Sequence, residues 1–484
     1  AGSLTSRNFE TIPAVGSTVR GRSTPVRRFG TTRRWPNARR TTSTRPRLTD
    51  FAVTLEASVA PAFSPLVTAV GTVPGGEWHL SDGGGLITRG ATGGREDVAR
   101  AMTTEATGPG DGLKELGKHY RSLVDGEEVG WDAVRPFRKC LGVGGQGVVY
   151  LSERRGVDGF TIPVALKIFS PDRFTTRLEY SAEMARLATV ASRVARIQQD
   201  HLVDVQNVVS VEGVHVLEME WIDGYDLRRL LTPDAYGRVR EQVTERRWQT
   251  INQVVMTEGR QQPRLRPGTA ASVIRECLSA LSAMHRHGIV HNDIKPSNVM
   301  LKRSGNVKII DIGAAFELEN RPPVQPCTPI YAAPEVLEGQ PGTPASDLAS
   351  VGYLLIEMLS GEQPFAGMSF AEMLTSKRSV FDWLPGALLV EEFALTEPLL
   401  RLLHGLVDPD PIQRFPSAEE AELDSGGVAE FQRELVQAGV TSEYEAEIRH
   451  WIDEVEAEFE LRDPSDEVTR DFLPPTRVFN PPAE

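Results

Sequence analysis

The sequence predicts an α+β fold in which a β-rich segment is followed by a larger helical one. A glycine-rich strand–turn–strand at residues 136–151 comes before three further strand patterns. An apolar helical pattern at residues 270–287 then opens the second segment. Directly after that helix lies a polar loop, HNDIKPSNVML, at residues 291–301. This order of strands, helix and polar loop is the basis of the predicted fold class.

Composition places the chain among ordinary globular proteins, with 484 residues, 40% hydrophobic and 25% charged. The net charge of −13 combines a basic head, +9 over residues 1–50, with an acidic tail, −10 over residues 425–484. Three widely spaced cysteines match neither a disulfide framework nor a metal site. We therefore expect a reducing, cytoplasmic location. No apolar run long enough for a membrane span is present.

Residues 1–110 are predicted to be disordered, because their composition offers too little apolar surface to offset chain entropy. Their arginine cluster at residues 20–47 leaves three alternatives: a solvated tail, an organelle-targeting segment, or binding to nucleic acid or anionic surfaces. We favour the tail and do not expect nucleic acid as a partner. We also expect translation to start at Met102, the first methionine. Residues 111–135 are predicted to form a short helix and a lead-in.

A glycine-rich turn follows in PFRKCLGVGGQGVVYL at residues 136–151. Gly142, Gly144 and Gly147 would let backbone N–H groups approach phosphate oxygens. A strand comes next instead of a helix, which disfavours a dinucleotide-binding βαβ unit. A flexible hairpin without a ligand is the alternative.

Lys167 lies in the apolar strand pattern TIPVALKIF. A buried ammonium needs a partner, and the helix predicted over residues 176–197 offers Glu179 and Glu183. We favour a Lys167–Glu183 pair with Lys167 on nucleotide phosphates, because Glu183 shares a helix face with Leu187. A solvated edge-strand lysine is the alternative.

Two features of the middle of the chain remain open. Asp226 follows a turn and is either a helix cap or a ligand of a ribose hydroxyl. The polar residues 232–268 are predicted to be a surface insertion with one helix at about residues 235–255. A docking role for this insertion is the alternative.

The loop at residues 291–301 contains Asp293, Lys295 and Asn298 in the order D-x-K-x-x-N. Phosphoryl transfer from a metal-bound nucleotide needs a base, a cation and an amide metal ligand together. Asp311 follows 18 residues after Asp293 and would ligate Mg²⁺. A polar surface loop is the alternative.

Three further residues are predicted to be structural. Asp347 lies near the start of a buried helix at residues 346–359. Glu335 and Arg414 are expected to form a buried ion pair that pins the segment after the loop to the helical part.

The acidic residues 425–484 contain a capping box, Ser442-x-x-Glu445, which predicts a helix. Apolar residues then recur at helical spacing: Tyr444, Ile448, Trp451, Ile452, Val455 and Phe459. Packing of this stripe on the preceding domain is favoured, and docking of a partner is the alternative. The end of the segment is expected to be disordered.

Over residues 136–424 the chain resembles eukaryotic-type (Hanks-type) serine/threonine protein kinases. The motifs of that family occur in its order: the glycines at 142, 144 and 147, Lys167, Glu183, HND at 291–293, Lys295, Asn298, DIG at 311–313, APE at 333–335, Asp347 and Arg414. The resemblance implies a two-lobed fold, a small antiparallel β lobe with one helix over a large helical lobe, with ATP between them. It also implies protein substrates and Mg²⁺, with Mn²⁺ as an alternative, held by Asn298 and Asp311.

The resemblance assigns further contacts. Adenine would lie between Val149 and Ala165 on one side and Met300 on the other, with Met219 as gatekeeper. The implied ATP contacts are Gly142, Val143, Gly144, Gly145, Gln146, Gly147, Val149, Ala165, Lys167, Met219, Glu220, Ile222, Asp226 and Met300. Thr328 would belong to the substrate platform, and Lys295 matches the serine/threonine-specific pattern.

Three positions depart from the family: Asn292 replaces a common arginine, Ile312 a phenylalanine, and Cys327 a glycine. In regulated members that arginine binds a phosphate on the activation loop. Here residues 314–326 contain no Ser, Thr or Tyr. We therefore expect a non-RD kinase whose loop is ordered without phosphorylation.

The leading interpretation is an active serine/threonine protein kinase. A catalytically silent scaffold is disfavoured, because no catalytic position is lost. A small-molecule kinase is disfavoured by Lys295 and the APE segment.

Overall fold

The computed structural model describes residues 111–323, 325–388, 396–439 and 444–459. The expectations for residues 1–110 and for the end of the acidic segment lie outside these ranges. Within them, a β-rich lobe precedes a helical lobe, which confirms the predicted fold class. None of the helices described is both long and apolar enough to span a membrane.

The small lobe is built on one six-stranded antiparallel sheet of order β1-β2-β3-β4-β6-β5. Its strands are β1 (Glu128–Gly130), β2 (Val134–Gly144), β3 (Gly147–Arg155), β4 (Thr161–Phe169), β5 (Val205–Val211) and β6 (Val214–Glu220). Residues 164–169 of β4 are all buried, because β4 lies between β3 and β6 and is covered by helix α1 (Asp111–Val124). The apolar pattern around Lys167 is thus an inner strand of the sheet and not an edge strand.

One helix, α2 (Arg177–Val194), packs against β5. Thr176 caps it by accepting a hydrogen bond from the N–H of Glu179 at 3.1 Å. Tyr180, Met184 and Leu187 are buried on one face of the helix. The helix ends three residues before the predicted limit of 197, because Ala195 forms its C-cap.

The large lobe is helical. Its helices are α3 (Leu227–Leu230), α4 (Pro233–Gln242), α5 (Glu245–Val254), α6 (Pro267–Arg286), α7 (Pro334–Leu337), α8 (Pro344–Ser360), α9 (Phe370–Arg378), α10 (Val380–Leu388), α11 (Glu397–Val407), α12 (Ala418–Leu423), α13 (Val428–Gln437) and α14 (Tyr444–Phe459). Helix α8 is buried from Ser346 to Ser360 and packs on α6 and α11. A capping box at Thr343 begins it, and Gly361 ends it with a φ of 66°.

Short strand pairs hold the polar loop between the lobes. These strands are β7 (Gly224–Asp226), β10 (Ile289–Val290), β11 (Val299–Lys302), β12 (Val307–Ile309) and β13 (Phe316–Glu317). Strand β10 pairs with β13 before the loop, and β11 pairs with both β12 and β7 after it. Both ends of the loop are therefore anchored by backbone hydrogen bonds.

The insertion at residues 232–268 contains two helices, so the prediction of one helix over about residues 235–255 is wrong. Helix α4 ends because Val243 is extended, with φ −96° and ψ 154°. Thr244 then caps α5 by accepting a hydrogen bond from the N–H of Arg247 at 3.3 Å. Two short strands, β8 (Met256–Thr257) and β9 (Arg264–Leu265), complete the insertion.

The acidic segment packs on the rest of the large lobe. Helix α13 lies against α6 and α11, so the folded chain continues past residue 424. Helix α14 lies against α4, α5, α6 and β11. Its buried residues are Tyr444, Ile448, Trp451, Ile452 and Val455. Arg247 of the insertion bonds to Glu447 and, at 2.7 Å, to Glu454. These five residues of the apolar stripe thus pack within the chain, largely on the insertion.

Candidate active site

The three groups predicted for phosphoryl transfer lie together in the polar loop. Asp293 Oδ2 accepts a hydrogen bond from Lys295 Nζ at 2.7 Å. Asn298 Nδ2 donates to the backbone carbonyl of Asp293 at 2.7 Å. Thr328, distant in sequence, donates its hydroxyl to Asp293 Oδ1 at 2.6 Å and accepts from Lys295 at 3.0 Å. Asp293, Lys295 and Thr328 thus form a closed triangle.

Asp347, near the start of α8, anchors the backbone of the polar loop. Its fully buried carboxylate accepts hydrogen bonds from the backbone N–H groups of His291 at 2.9 Å and Asn292 at 2.8 Å. His285 on α6 approaches the same carboxylate at 2.9 Å. These donors compensate a charge that would otherwise be costly to bury. The loop backbone is therefore fixed to α8.

Asn292 has left-handed backbone geometry, with a φ of 66°. Asparagine is among the few residues other than glycine that adopt this geometry readily. Its side-chain Nδ2 donates to the carbonyl of Pro326 at 2.9 Å. A residue that departs from the family therefore links the loop directly to the segment before Thr328.

The glycine-rich turn lies over the other side of the site. Gly142 pairs with Val149 and Gly144 with Gly147 in the β2–β3 hairpin. Gln146 at its tip accepts a hydrogen bond from Lys167 Nζ at 2.7 Å. A Cβ on Gly313 would lie 2.2 Å from Gln146 Oε1, so the glycine at this position lets the turn approach closely.

Lys167 pairs with Asp311 and not with Glu183, so the predicted Lys167–Glu183 pair is absent from this structure. Its Nζ lies 2.8 Å from both carboxylate oxygens of Asp311. Glu183 instead accepts two hydrogen bonds from the guanidinium of Arg186, each 2.8 Å, with Arg173 at 3.9 Å. The guanidinium fork matches a carboxylate better than a single ammonium does.

Arg186 also donates to the carbonyl of Ala315 at 2.5 Å, which ties α2 to the segment after Asp311. Sequence reasoning overlooked both Arg173 and Arg186. The three-residue spacing from Glu183 to Arg186 could have predicted their ion pair, because it places the two side chains on one helix face. No local spacing indicated Arg173.

Residues expected around adenine come from neighbouring strands. The register pairs Val149 with Lys167 and Ala165 with Met219. Directly opposed residues point to the same face of a sheet, so these four side chains share one face. Met300 lies on β11 opposite Asp226 on β7.

Glu220 and Ile222 lie where β6 leaves the sheet. The side chain of Glu220 accepts a hydrogen bond from the N–H of Asp204 at 2.7 Å and pairs with Lys308. Asp226 caps α3, since its Oδ1 accepts from the N–H of Arg229 at 3.1 Å. Burial raises the pKa of Asp226. The capping role is therefore present, and the ribose contact stays a prediction.

The Glu335–Arg414 ion pair is present and bidentate. Arg414 donates to the two carboxylate oxygens of Glu335 at 2.7 Å each. It also donates to the carbonyls of Ala345 and Asp408 at 2.8 Å. The fork therefore joins α7, the start of α8 and the loop after α11.

Comparisons with known proteins agree with this geometry. A model of the family "Protein kinase domain" matches residues 137–423. The serine/threonine-protein kinase PkaA of Streptomyces coelicolor is 29% identical over 305 residues, which is 60% of this chain and 49% of the relative. PrkC of Bacillus subtilis is 25% identical over 299 residues, 59% of this chain and 39% of the relative.

A third relative, the serine/threonine-protein kinase PknD of Mycobacterium tuberculosis, is 26% identical over 289 residues, 59% of this chain and 38% of the relative. The present chain therefore spans less than half the length of each of these three relatives. The match ends before α13 and α14.

Proposed function

Because the chain belongs to the protein kinase domain family, we propose that it transfers the γ-phosphoryl group of ATP to serine and threonine hydroxyls of protein substrates. The observation that carries this proposal is the triangle of Asp293, Lys295 and Thr328. It places a carboxylate, an ammonium and a hydroxyl within hydrogen-bond distance of one another. The printed names of the relatives support the serine/threonine class.

In the proposed reaction Asp293 accepts the proton of the acceptor hydroxyl. Its Oδ1 already receives a hydroxyl hydrogen bond from Thr328, which supports an orientation toward alcohol groups. Lys295 would offset negative charge on the transferring group while holding Oδ2 of Asp293 in place. Both effects act through positioning and charge stabilisation.

ATP would lie between the glycine-rich turn and the polar loop. Lys167, buried in β4, donates to Gln146 of the turn and would contact the phosphates. The apolar face shared by Val149, Ala165 and Met219 would cover the adenine. Backbone groups at residues 220–222 would read its edge.

The residues proposed for Mg²⁺ fit that metal. Burial acts to raise the pKa of Asp311, but Lys167, the N–H of Gly313 and Lys295 together outweigh it, and the pKa falls to about 2. Asp311 is therefore an ionised oxygen ligand at neutral pH.

The amide nitrogen of Asn298 donates to Asp293, which leaves its oxygen as the candidate second ligand. That oxygen also accepts a hydrogen bond from Ser297 Oγ at 3.4 Å and keeps a further lone pair for a metal. Magnesium, when bound, would offset charge on the phosphates. Mn²⁺ accepts the same oxygen ligands.

We further propose that activity does not require phosphorylation of residues 314–326. The contact from Asn292 to the Pro326 carbonyl supports this, because it joins the loop to this segment without a phosphate. Gln325 adds a second contact by accepting from the N–H of Gly342 at 2.7 Å. A cytoplasmic location stays a prediction, and the three cysteines are all unpaired.

The proposed activity is tested by following labelled γ-phosphate from ATP into the chain itself and into a degenerate Ser/Thr/Tyr peptide array with Mg²⁺. We expect label on Ser and Thr, and a rate about 10²–10⁴-fold lower for Asp293→Asn, because the general base is lost. Equal label from wild type and variant would contradict the proposal. Label confined to tyrosine would contradict the substrate class.

A further inference from the structure

Lys377 on α9 is a completely buried lysine outside the site described above. Its Nζ donates to the backbone carbonyls of Ile330 and Ala332, at 2.7 Å each. The same Nζ lies 3.9 Å from the ring centre of Tyr353 and 4.4 Å from that of Phe365. No carboxylate in the described ranges pairs with it, and Glu335, whose charge acts on it, is bound by Arg414.

A buried lysine without a carboxylate is costly unless its donors serve a purpose. Burial lowers the pKa of Lys377 well below its ordinary value. Both the charged and the neutral amine keep at least two N–H donors, which suffices for two carbonyls. The contact therefore does not depend on the protonation state.

The two carbonyls belong to the segment that follows the catalytic triangle, which we call the platform segment, residues 327–333. Thr328 at its start bonds to Asp293 and Lys295. The N–H groups of Tyr331 and Ala332 both donate to the carbonyl of Thr328 at 3.0 Å. The hydroxyl of Tyr331 donates to Glu357 at 2.6 Å.

Lys377 thus binds two carbonyls of the platform segment from a buried position on α9. We propose that Lys377 is a positioning residue for the acceptor protein: it fixes the backbone course of residues 330–332, against which the acceptor segment lies. This inference rests on the proposed function. It assigns to α9 a part in acceptor binding that does not involve ATP.

The test compares Lys377→Met with wild type in three assays: steady-state transfer to the best acceptor from the peptide array, ATP hydrolysis without peptide, and the KM for ATP. Methionine keeps the apolar volume but cannot donate to either carbonyl. We expect the KM for peptide to rise about tenfold, the factor that corresponds to losing one or two buried hydrogen bonds. The rate of peptide-free ATP hydrolysis and the KM for ATP should stay within about twofold of the wild-type values. Water, as the acceptor in that reaction, does not need to bind to the platform segment.

A purely structural role would give a different pattern, because a smaller folded fraction lowers every rate equally and leaves both KM values unchanged. That pattern, or an unchanged KM for peptide, overturns the inference. If Lys377→Met does not bind nucleotide, Lys377→Gln, which keeps a donor, takes its place and must show an intermediate KM. Arg378→Met on the same helix is the matched control, because its contacts are to Glu338 and Pro409.

Failure of the proposed function is visible in the same experiment. Wild type that neither hydrolyses ATP nor labels peptide contradicts the proposed kinase activity. Active wild type with a kinetically identical Lys377→Met contradicts only the role of Lys377.

Discussion

At the scale of residues, buried charges decide the geometry of the site, and each is held by several donors or acceptors. Asp347 accepts from two backbone N–H groups and faces His285. Arg414 donates to one carboxylate and two carbonyls. Such groups are tolerated only when fully partnered, so the loop has little freedom to leave the arrangement described above.

His201 gives a pH-dependent contribution to stability. The hydrogen bond to Glu276, at 3.1 Å, raises the pKa of His201 above its ordinary value of 6.5, with burial opposing this. Because the pKa of His201 is higher in the folded than in the unfolded state, its protonation stabilises the fold. This contribution is fully present below the unfolded-state pKa of 6.5 and is lost as pH rises through the folded-state pKa.

We expect the free energy of unfolding of wild type to exceed that of His201→Gln most at pH 5.5 to 6, and the difference to shrink by about pH 8.5. Urea unfolding across this range measures it. A difference that grows with pH would contradict the account.

The sequence predicted which residues form the site. It predicted only some of their hydrogen-bond and ion-pair partners. Asp293, Lys295 and Asn298 lie within six residues, so local spacing was enough to bring them together. Lys167 lies in β4 and Glu183 in α2, and the guanidinium of Arg186 binds the carboxylate of Glu183 in place of Lys167. Competition among nearby charges depends on side-chain geometry that spacing alone does not define.

At the scale of elements, the insertion and helix α14 stabilise each other. Trp451 is 1% exposed and Ile251 of the insertion is fully buried. Arg247 adds ion pairs to two acids of α14. The insertion lies inside the matched kinase region, residues 137–423, whereas α14 lies after its end.

We predict that Trp451→Ala lowers the free energy of unfolding by about 3–5 kcal/mol, the usual cost of removing a large buried side chain. His450→Ala, at the neighbouring exposed position, should change it by less than about 0.5 kcal/mol. Urea unfolding followed by tryptophan fluorescence and circular dichroism measures both. Equal stability of the two variants would show that α14 is not part of the folded unit.

The sequence predicted helix α14 and the five buried residues of its apolar face that the structure describes, because periodicity is a local property. It did not predict that the insertion would supply much of the packing surface. Thr244 also divides the insertion into two helices through a capping interaction that a continuous helical pattern conceals. Pairing between segments 200 residues apart, such as Arg247 and Glu447, leaves no trace in local pattern.

At the scale of the whole molecule, the fold arranges two lobes around one polar loop. The order of the motifs predicted this architecture, because each motif belongs to a fixed place in the family's fold. Within the described ranges, the loop is held by β10 and β11, by α8 through Asp347, and by Asn292 through the Pro326 carbonyl. The central claim is that these contacts set the loop for catalysis without a phosphate.

The measurement that tests this claim most directly is the initial rate of phosphoryl transfer to peptide after exhaustive phosphatase treatment, with the phosphatase removed and complete dephosphorylation verified by mass spectrometry. Asp293→Asn serves as the inactive control. The account predicts that the initial rate of treated wild type stays within about twofold of that of untreated wild type, since no loop phosphate is needed. A treated chain as slow as Asp293→Asn would contradict it.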